Sequence, residues 1–281
     1  MKKANCMNLF FLIMFLPVFS FAQESNTKET SQKNEFSASV NYQSALHYFG
    51  RTDSLKSSGL FSTIGFQSKT GLYAQGNFIF IQNKSEPITY TGTTIEAGYR
   101  FPQSDHFSGN LFYTQFLYNN KSTLLQSALK SQTGINASYT NPIINVNGGA
   151  DLKFGGQTDL GATLGLDHLF IFKNAISHSA FAVNPSVYAY AGTQKFTNTY
   201  FEKGGILGFP LSPQTTQQVT QFNILSYEIS MPVVFVSGKF NASVTPAYVI
   251  PQNLVSIVGR PDLSEYGKEM FYVTVSVGIK L

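Results

Sequence analysis

The C-terminal stretch from Phe271 to Leu281 alternates without a break. In an extended chain, Phe271, Val273, Val275, Val277, Ile279 and Leu281 share one face, and Tyr272, Thr274, Ser276, Gly278 and Lys280 share the other. A period of two excludes a helix. It leaves a soluble sheet whose apolar face is a core, or a membrane barrel whose apolar face meets lipid. Shorter segments of the same kind, rich in Phe, Tyr, Val, Ile and Thr, recur from Glu35 onward between clusters of Gly, Pro, Asn, Asp and Ser.

Composition favours the membrane. Charged residues make up 12% of the chain, about half of the roughly 25% usual in soluble domains. The polar strand positions are largely uncharged. Beyond the N-terminus no apolar run approaches the roughly 18 to 20 residues of a spanning helix. Hydrocarbon demands that every backbone amide be paired internally, so a closed barrel is the remaining way to span. The expected fold is therefore all-β, a transmembrane antiparallel up-and-down barrel of about twelve strands. A secreted soluble β-sandwich is the alternative.

The pattern predicts strands at 35–47, 59–68, 71–83, 88–101, 106–118, 132–140, 143–154, 159–172, 178–191, 221–236, 239–250 and 269–281. Brief turns (68–71, 102–105, 141–142, 173–177 and 237–238) alternate with longer connections, notably 48–58, 119–131, 192–220 and 251–268. Short turns on one rim and extended loops on the other are usual for bacterial barrels, with the short rim periplasmic. An even count puts both termini on that side. Aromatic residues near segment ends, namely Phe36, Tyr48, Phe49, Tyr99, Phe101, Phe107, Phe116, Tyr118, Phe170, Phe172 and Phe271, are expected to form interfacial girdles.

The first residues have the layout of a secretory signal: Lys2 and Lys3, an apolar run from Leu9 to Phe21, then Ser20-Phe21-Ala22. Cleavage is expected after Ala22. That gives a signal at 1–22, a polar, flexible periplasmic lead-in at 23–34 and a barrel at 35–281. The single cysteine, Cys6, lies in the signal, so no disulfide framework is expected. Without Lys2 and Lys3 the basic and acidic residues nearly balance, which argues against a nucleic-acid partner.

If the apolar faces meet lipid, the strand charges must look inward. Glu96, Arg100, Asp151, Lys153, Asp167, Glu228 and Lys280 then form a lumen-lining network that sets pore size and charge preference, or that packs a closed interior. His47, His106 and His168 are scattered, so no metal is expected, and no cofactor motif is present.

Ser177-His178-Ser179 sets an imidazole between hydroxyls, and Tyr113-Thr114-Gln115 looks like a piece of the outer-membrane phospholipase pattern. That family places its serine two residues after its histidine, where this chain has Ala180. The expectation is therefore no enzyme, with a hydrolase acting on envelope lipids as the catalytic alternative. The connection 192–220 carries Phe196, Tyr200, Phe201 and Phe209, a candidate external contact to other envelope proteins.

The ending Phe21-Ala22 before Gln23, the run Pro185 to Gln194, and the stretch from Ser226 through Pro232 and Gly238-Lys239-Phe240 to Pro251 resemble the outer-membrane β-barrel proteins of the Bacteroidota. The specific resemblance covers the C-terminal half. It implies fold and location and carries no catalytic or ligand residue. Together these readings point to a narrow pore, or a structural subunit of an envelope complex, whose surroundings are outer-membrane lipid.

Overall fold

The computed structural model describes residues 33–52, 56–84, 87–118, 129–173, 179–195, 220–255 and 267–281. They form one antiparallel sheet of β1 (Glu35–Gln43), β2 (Ser58–Gln67), β3 (Leu72–Gln82), β4 (Thr89–Arg100), β5 (Phe107–Tyr118), β6 (Ser131–Tyr139), β7 (Asn145–Phe154), β8 (Thr158–Asp167), β9 (Phe170–Lys173), β10 (Ser179–Val183), β11 (Ser186–Gly192), β12 (Asn223–Ser230), β13 (Val233–Ser237), β14 (Phe240–Pro251) and β15 (Met270–Lys280). Neighbours in sequence pair from β1 to β8, β15 pairs with β1, and the ring closes through β11, β12 and β14. Closure pairs the wall strands on both sides except β9, which pairs with β10 alone, so almost all of the wall can satisfy its amides against a neighbour.

Three of the twelve wall-crossing staves are interrupted. β8 and β9, β10 and β11, and β12 and β13 each keep one register across a break: Asp167 faces Ser186, and Phe170 still faces Val183. Sequence periodicity reads these as continuous strands; the breaks come from proline. His168 N–H donates to Pro185 O at 3.1 Å, Asn184 to Pro232 at 3.0 Å and Met231 to Pro246 at 3.1 Å. Each proline accepts from the residue opposite and has no N–H to return. The three lost bonds lie in one row across adjacent seams of the wall.

The two faces of the wall differ as the alternation requires. Phe271, Val275, Val277 and Ile279 are exposed on the outside of β15, while Tyr272, Thr274 and Ser276 are buried inside. The same exterior carries Phe36, Ile64, Leu72, Ile95, Leu111, Leu164 and Ile229, all exposed. Burying such a surface in lipid gains roughly 25 cal/mol per Å² of apolar area. An apolar exterior around a polar interior is the inverse of a soluble barrel, and this is a membrane-spanning one.

Both chain ends of the wall meet at the rim of short turns, where Phe36 and Leu281 exchange backbone hydrogen bonds at 3.2 and 2.8 Å. Gly71, at φ +94°, closes the β2–β3 turn on this terminal rim. Asn141 Oδ1 accepts from the N–H groups of Ile143 and Ile144 at 2.9 and 3.0 Å, fixing the β6–β7 turn. Phe36, Phe107, Phe170, Phe172 and Phe271 are exposed, as girdle residues should be. Tyr48, Phe49 and Phe116 are not: all three are buried inside the barrel, with Tyr118 packed against them. In β5 this follows from register, because residues 114, 116 and 118 share the inward parity.

Candidate functional site: the barrel interior

The interior has two levels. Near the loop rim it is filled by the chain itself, with apolar clusters around a few buried charges. The connection after β1, expected from sequence to be an extended external loop, turns back into the mouth. Its Leu46 packs with Phe61, Ile79 and Ile81. Tyr48 and Phe49 join Phe116, Leu129, Tyr188, Tyr190 and Leu225 in one buried cluster spanning the lumen from β5 to β11. The tip is tight: Tyr48 and Arg51 exchange backbone hydrogen bonds at 2.8 and 3.0 Å, with Phe49 at φ 54° and Gly50 at φ 76°. A positive φ on phenylalanine is costly and is retained because its packing compensates.

Arg51 anchors this hairpin. Its guanidinium donates to the carbonyls of Phe49 (2.9 Å), Leu225 (3.1 Å), Gln252 (3.0 Å) and Asn253 (3.3 Å), and to Gln194 Oε1 at 2.6 Å. A planar fork of donors suits several carbonyls at once, which a lysine could not match. The Lys153 ammonium lies 5.9 Å from the centre of the Phe49 ring. Arg51 lies outside any strand and Asp159 was not singled out from sequence. Asp159 nevertheless has the same parity as Asp167, a signal sufficient to place it inward. It accepts from Thr193 Oγ1 at 2.6 Å and from the Lys195 N–H at 2.7 Å.

Toward the terminal rim the interior is polar. Glu96 accepts from Tyr73 Oη (3.0 Å) and Gln75 Nε2 (3.3 Å) on one oxygen and from Thr114 Oγ1 (2.9 Å) on the other. Tyr73 reaches Asn110 Nδ2, 2.9 Å away on β5, only because Gly98 lies between: a Cβ there would stand 2.7 Å from the ring. Thr63 donates to Asn77 Oδ1 at 2.7 Å, and Asn77 Nδ2 to Thr94 Oγ1 at 2.9 Å, a belt running from strand to strand. Asp167 accepts one amide N–H on each oxygen, from Asn145 and Asn147, both at 2.8 Å. Higher up, at the filled level, Tyr272 hydrogen-bonds Glu228 from across β14, and Glu228 faces Tyr188 across the β11–β12 seam.

All seven charged residues singled out from sequence face the interior, but they do not form one network. Asp151 and Lys153 pair at 2.5 Å, with side chains 4% exposed each. Lys280 pairs with Glu35 at 3.0 Å on the terminal rim, and there the side chains are 24% and 39% exposed. Arg100 donates to Gln67 Oε1 and lies 5.1 Å over the Tyr73 ring. Glu96, Asp167 and Glu228 are held by neutral donors. Phe196, Tyr200, Phe201, Phe209 and His178 lie outside the described residues.

Among the described residues no three metal-ligating side chains gather. Each described histidine turns Nδ1 to a backbone group: His47 to the Gly50 N–H, His106 to Thr140 O and His168 to Ile143 O.

No family model matches the chain, and no curated protein does. Solved structures similar to it include the KdgM porin, at 10% identity and a TM-score of 0.46, with 87% of this chain and 98% of that one covered. LpxR from Salmonella typhimurium is similar at 11% identity and 0.46, covering 86% and 99%. An outer-membrane channel from Pseudomonas putida F1 is similar at 11% identity and 0.48, covering 92% and 100%. The closed, lipid-facing barrel rests on this chain's own pairing and faces.

Proposed function

We propose that the chain is a narrow outer-membrane pore, closed near its loop rim by the inward hairpin of residues 44–52, with the terminal rim in the periplasm. The observation that carries this reading is the polar, hydrogen-bonded lumen between the hairpin and the terminal rim, enclosed by an apolar outer wall. A packed protein core has no use for so many buried Asn, Thr and Ser side chains, each of which costs free energy unless paired. A water path does.

Single-channel recording of the purified protein in planar bilayers tests this. We expect small or rare openings from the native chain, and larger, longer ones from the double variant Tyr48→Gly, Phe49→Gly. Heat-dependent gel migration would verify that the variant is folded. Absence of current from both folded proteins would overturn the pore. It would leave a second reading, a structural barrel within an envelope complex, which the buried state of the inner side chains favours.

A further inference from the structure

We propose that one sector of the lumen, near the terminal rim, holds a membrane amphiphile with an uncharged hydroxyl or amide head, its tail along β9, β10 and β13 and its head at Asn184. This goes beyond the pore reading and does not depend on conduction. The sector departs from the rule that the rest of the wall obeys. Leu169 and Ile171 share the inward parity of Asp167, while Ala180, Ala182, Val234 and Val236 share that of Asn184 and Pro232, because each stave keeps its register across its break. Ala182 faces Ile171 on one side and Val234 on the other, and Ala180 faces Val236. One stave further on, Val234 faces Ser243, which faces Ser276. The polar lining therefore stops at β13. Outside, Phe170 and Phe172 are exposed, so this part of the wall is apolar on both faces, as a sheet is when both faces meet an apolar phase. Ala182 and Val234 at its centre are buried; Leu169, Ile171, Ala180 and Val236 around them are half-buried and leave apolar surface for a tail.

A second, independent observation closes the sector at its inner end. Asn184 stands on the same face two residues above Ala182, is 2% exposed, and has neither its Nδ2 nor its Oδ1 paired. Its N–H donates to the Pro232 carbonyl opposite, and the Pro232 ring offers no polar atom in return. Buried polar groups are almost always partnered, so an amide with both an unmet donor and an unmet acceptor calls for a bound group that supplies both. A hydroxyl or an amide does so. A sulfate or carboxylate would leave Oδ1 unmet, and an ammonium would leave Nδ2 unmet. From Asn184 to Ala180 the inner face runs roughly 13 Å at about 3.3 Å per residue, a length that suits a tail of medium size. The tail also has a way in. Among the described residues β9 pairs with β10 alone, and its other edge runs on past the β6–β7 turn. Round that edge the apolar exterior of Phe170, Phe172 and Ile143 continues into Ile171 on the inside, so the source is the adjoining leaflet.

The chain contains no tryptophan, so a single introduced one is an unambiguous fluorescent reporter. Val236→Trp puts it on the inner face and Phe235→Trp on the outer face as a control. Each protein is refolded into phosphatidylcholine vesicles, its fold verified by heat-dependent gel migration, and a monoacylglycerol with a brominated chain is mixed in at rising mole fraction. The inner reporter should be quenched to saturation at low fraction, and the outer one only in proportion to the brominated lipid. Asn184→Leu in the Val236→Trp background should raise the half-saturating fraction about tenfold, the scale of one or two hydrogen bonds to the head. An alkyl sulfate and an alkylamine with the same brominated chain should both bind more weakly than the monoacylglycerol. Should Val236→Trp fail to fold, Lys173→Trp, at the rim end of the same face, carries the reading. Proportional quenching at the folded inner reporters overturns the site. Equal binding of all three heads, or no change with folded Asn184→Leu, overturns recognition of the head and with it the assignment. Neither result touches the pore, which conductance reads separately.

Discussion

The two ion pairs inside this barrel have the same chemistry and opposite surroundings. Asp151–Lys153 is sealed beneath Phe49 at the filled level, whereas Glu35–Lys280 lies on the terminal rim, partly open to solvent. A charge pair draws its importance from what would surround either partner if left alone. Sealed, a lone ammonium has nowhere to go; at the rim it is solvated. The level near the loop rim is therefore organised by exclusion of water and the level near the terminal rim by tolerance of it, within one continuous wall.

Perturbing each level should separate them. Asp151→Ala strands Lys153 and should cost about 3 to 5 kcal/mol, read as a lower urea midpoint for conversion of the folded gel band. Replacing both partners with apolar residues should recover most of that loss. A comparable cost for Lys280→Gln would break the comparison. Next in size is Gly165→Ala. The Tyr188 ring lies flat over Gly165, where an added Cβ would stand 2.0 Å from a ring carbon. Forced displacement of that ring should cost about 1 to 3 kcal/mol by the same assay.

Acid should loosen the hairpin more gently. Burial against Tyr272, whose ring lies 4.5 Å away, lowers the His47 pKa from 6.5 to about 4. Unfolding or withdrawal of the hairpin lets His47 take up a proton that the packed form refuses, so the stability of the packed hairpin falls as pH drops from 6.5 toward 4. Channel openings should accordingly become more frequent over that window, and His47→Phe should abolish the dependence. Smallest is Lys280→Gln, expected to change the urea midpoint by less than about 1 kcal/mol.

The wall was legible in the sequence because its rule is local. Alternation in Phe271 to Leu281 placed Tyr272 inside and Val275 outside, and the same parity sent Glu96, Asp151, Asp167 and Lys280 inward. The filling was not legible. Nothing in Leu46-His47-Tyr48-Phe49-Gly50-Arg51 has a period, and the direction in which a connection turns depends on partners far along the chain, here Leu225, Gln252 and Asn253. Phe116 and Tyr118 show the middle case. Their position near a strand end suggested a girdle, while their parity with Thr114 already pointed inward. Pro185, Pro232 and Pro246 were each visible as residues, but that they fall in one row emerges only from the registers of three separate strand pairs.

That row makes the barrel mechanically lopsided. From β1 through β7 no proline interrupts the ladder, which is irregular at Ile79 and Phe80 in the β3–β4 pair, so this part of the ring resists bending more stiffly. Around Pro185, Pro232 and Pro246 three neighbouring seams each lack a rung at the same station, so lateral pressure from the bilayer ovalises the cross-section there first. Amide deuterium uptake should begin at those rungs and spread outward.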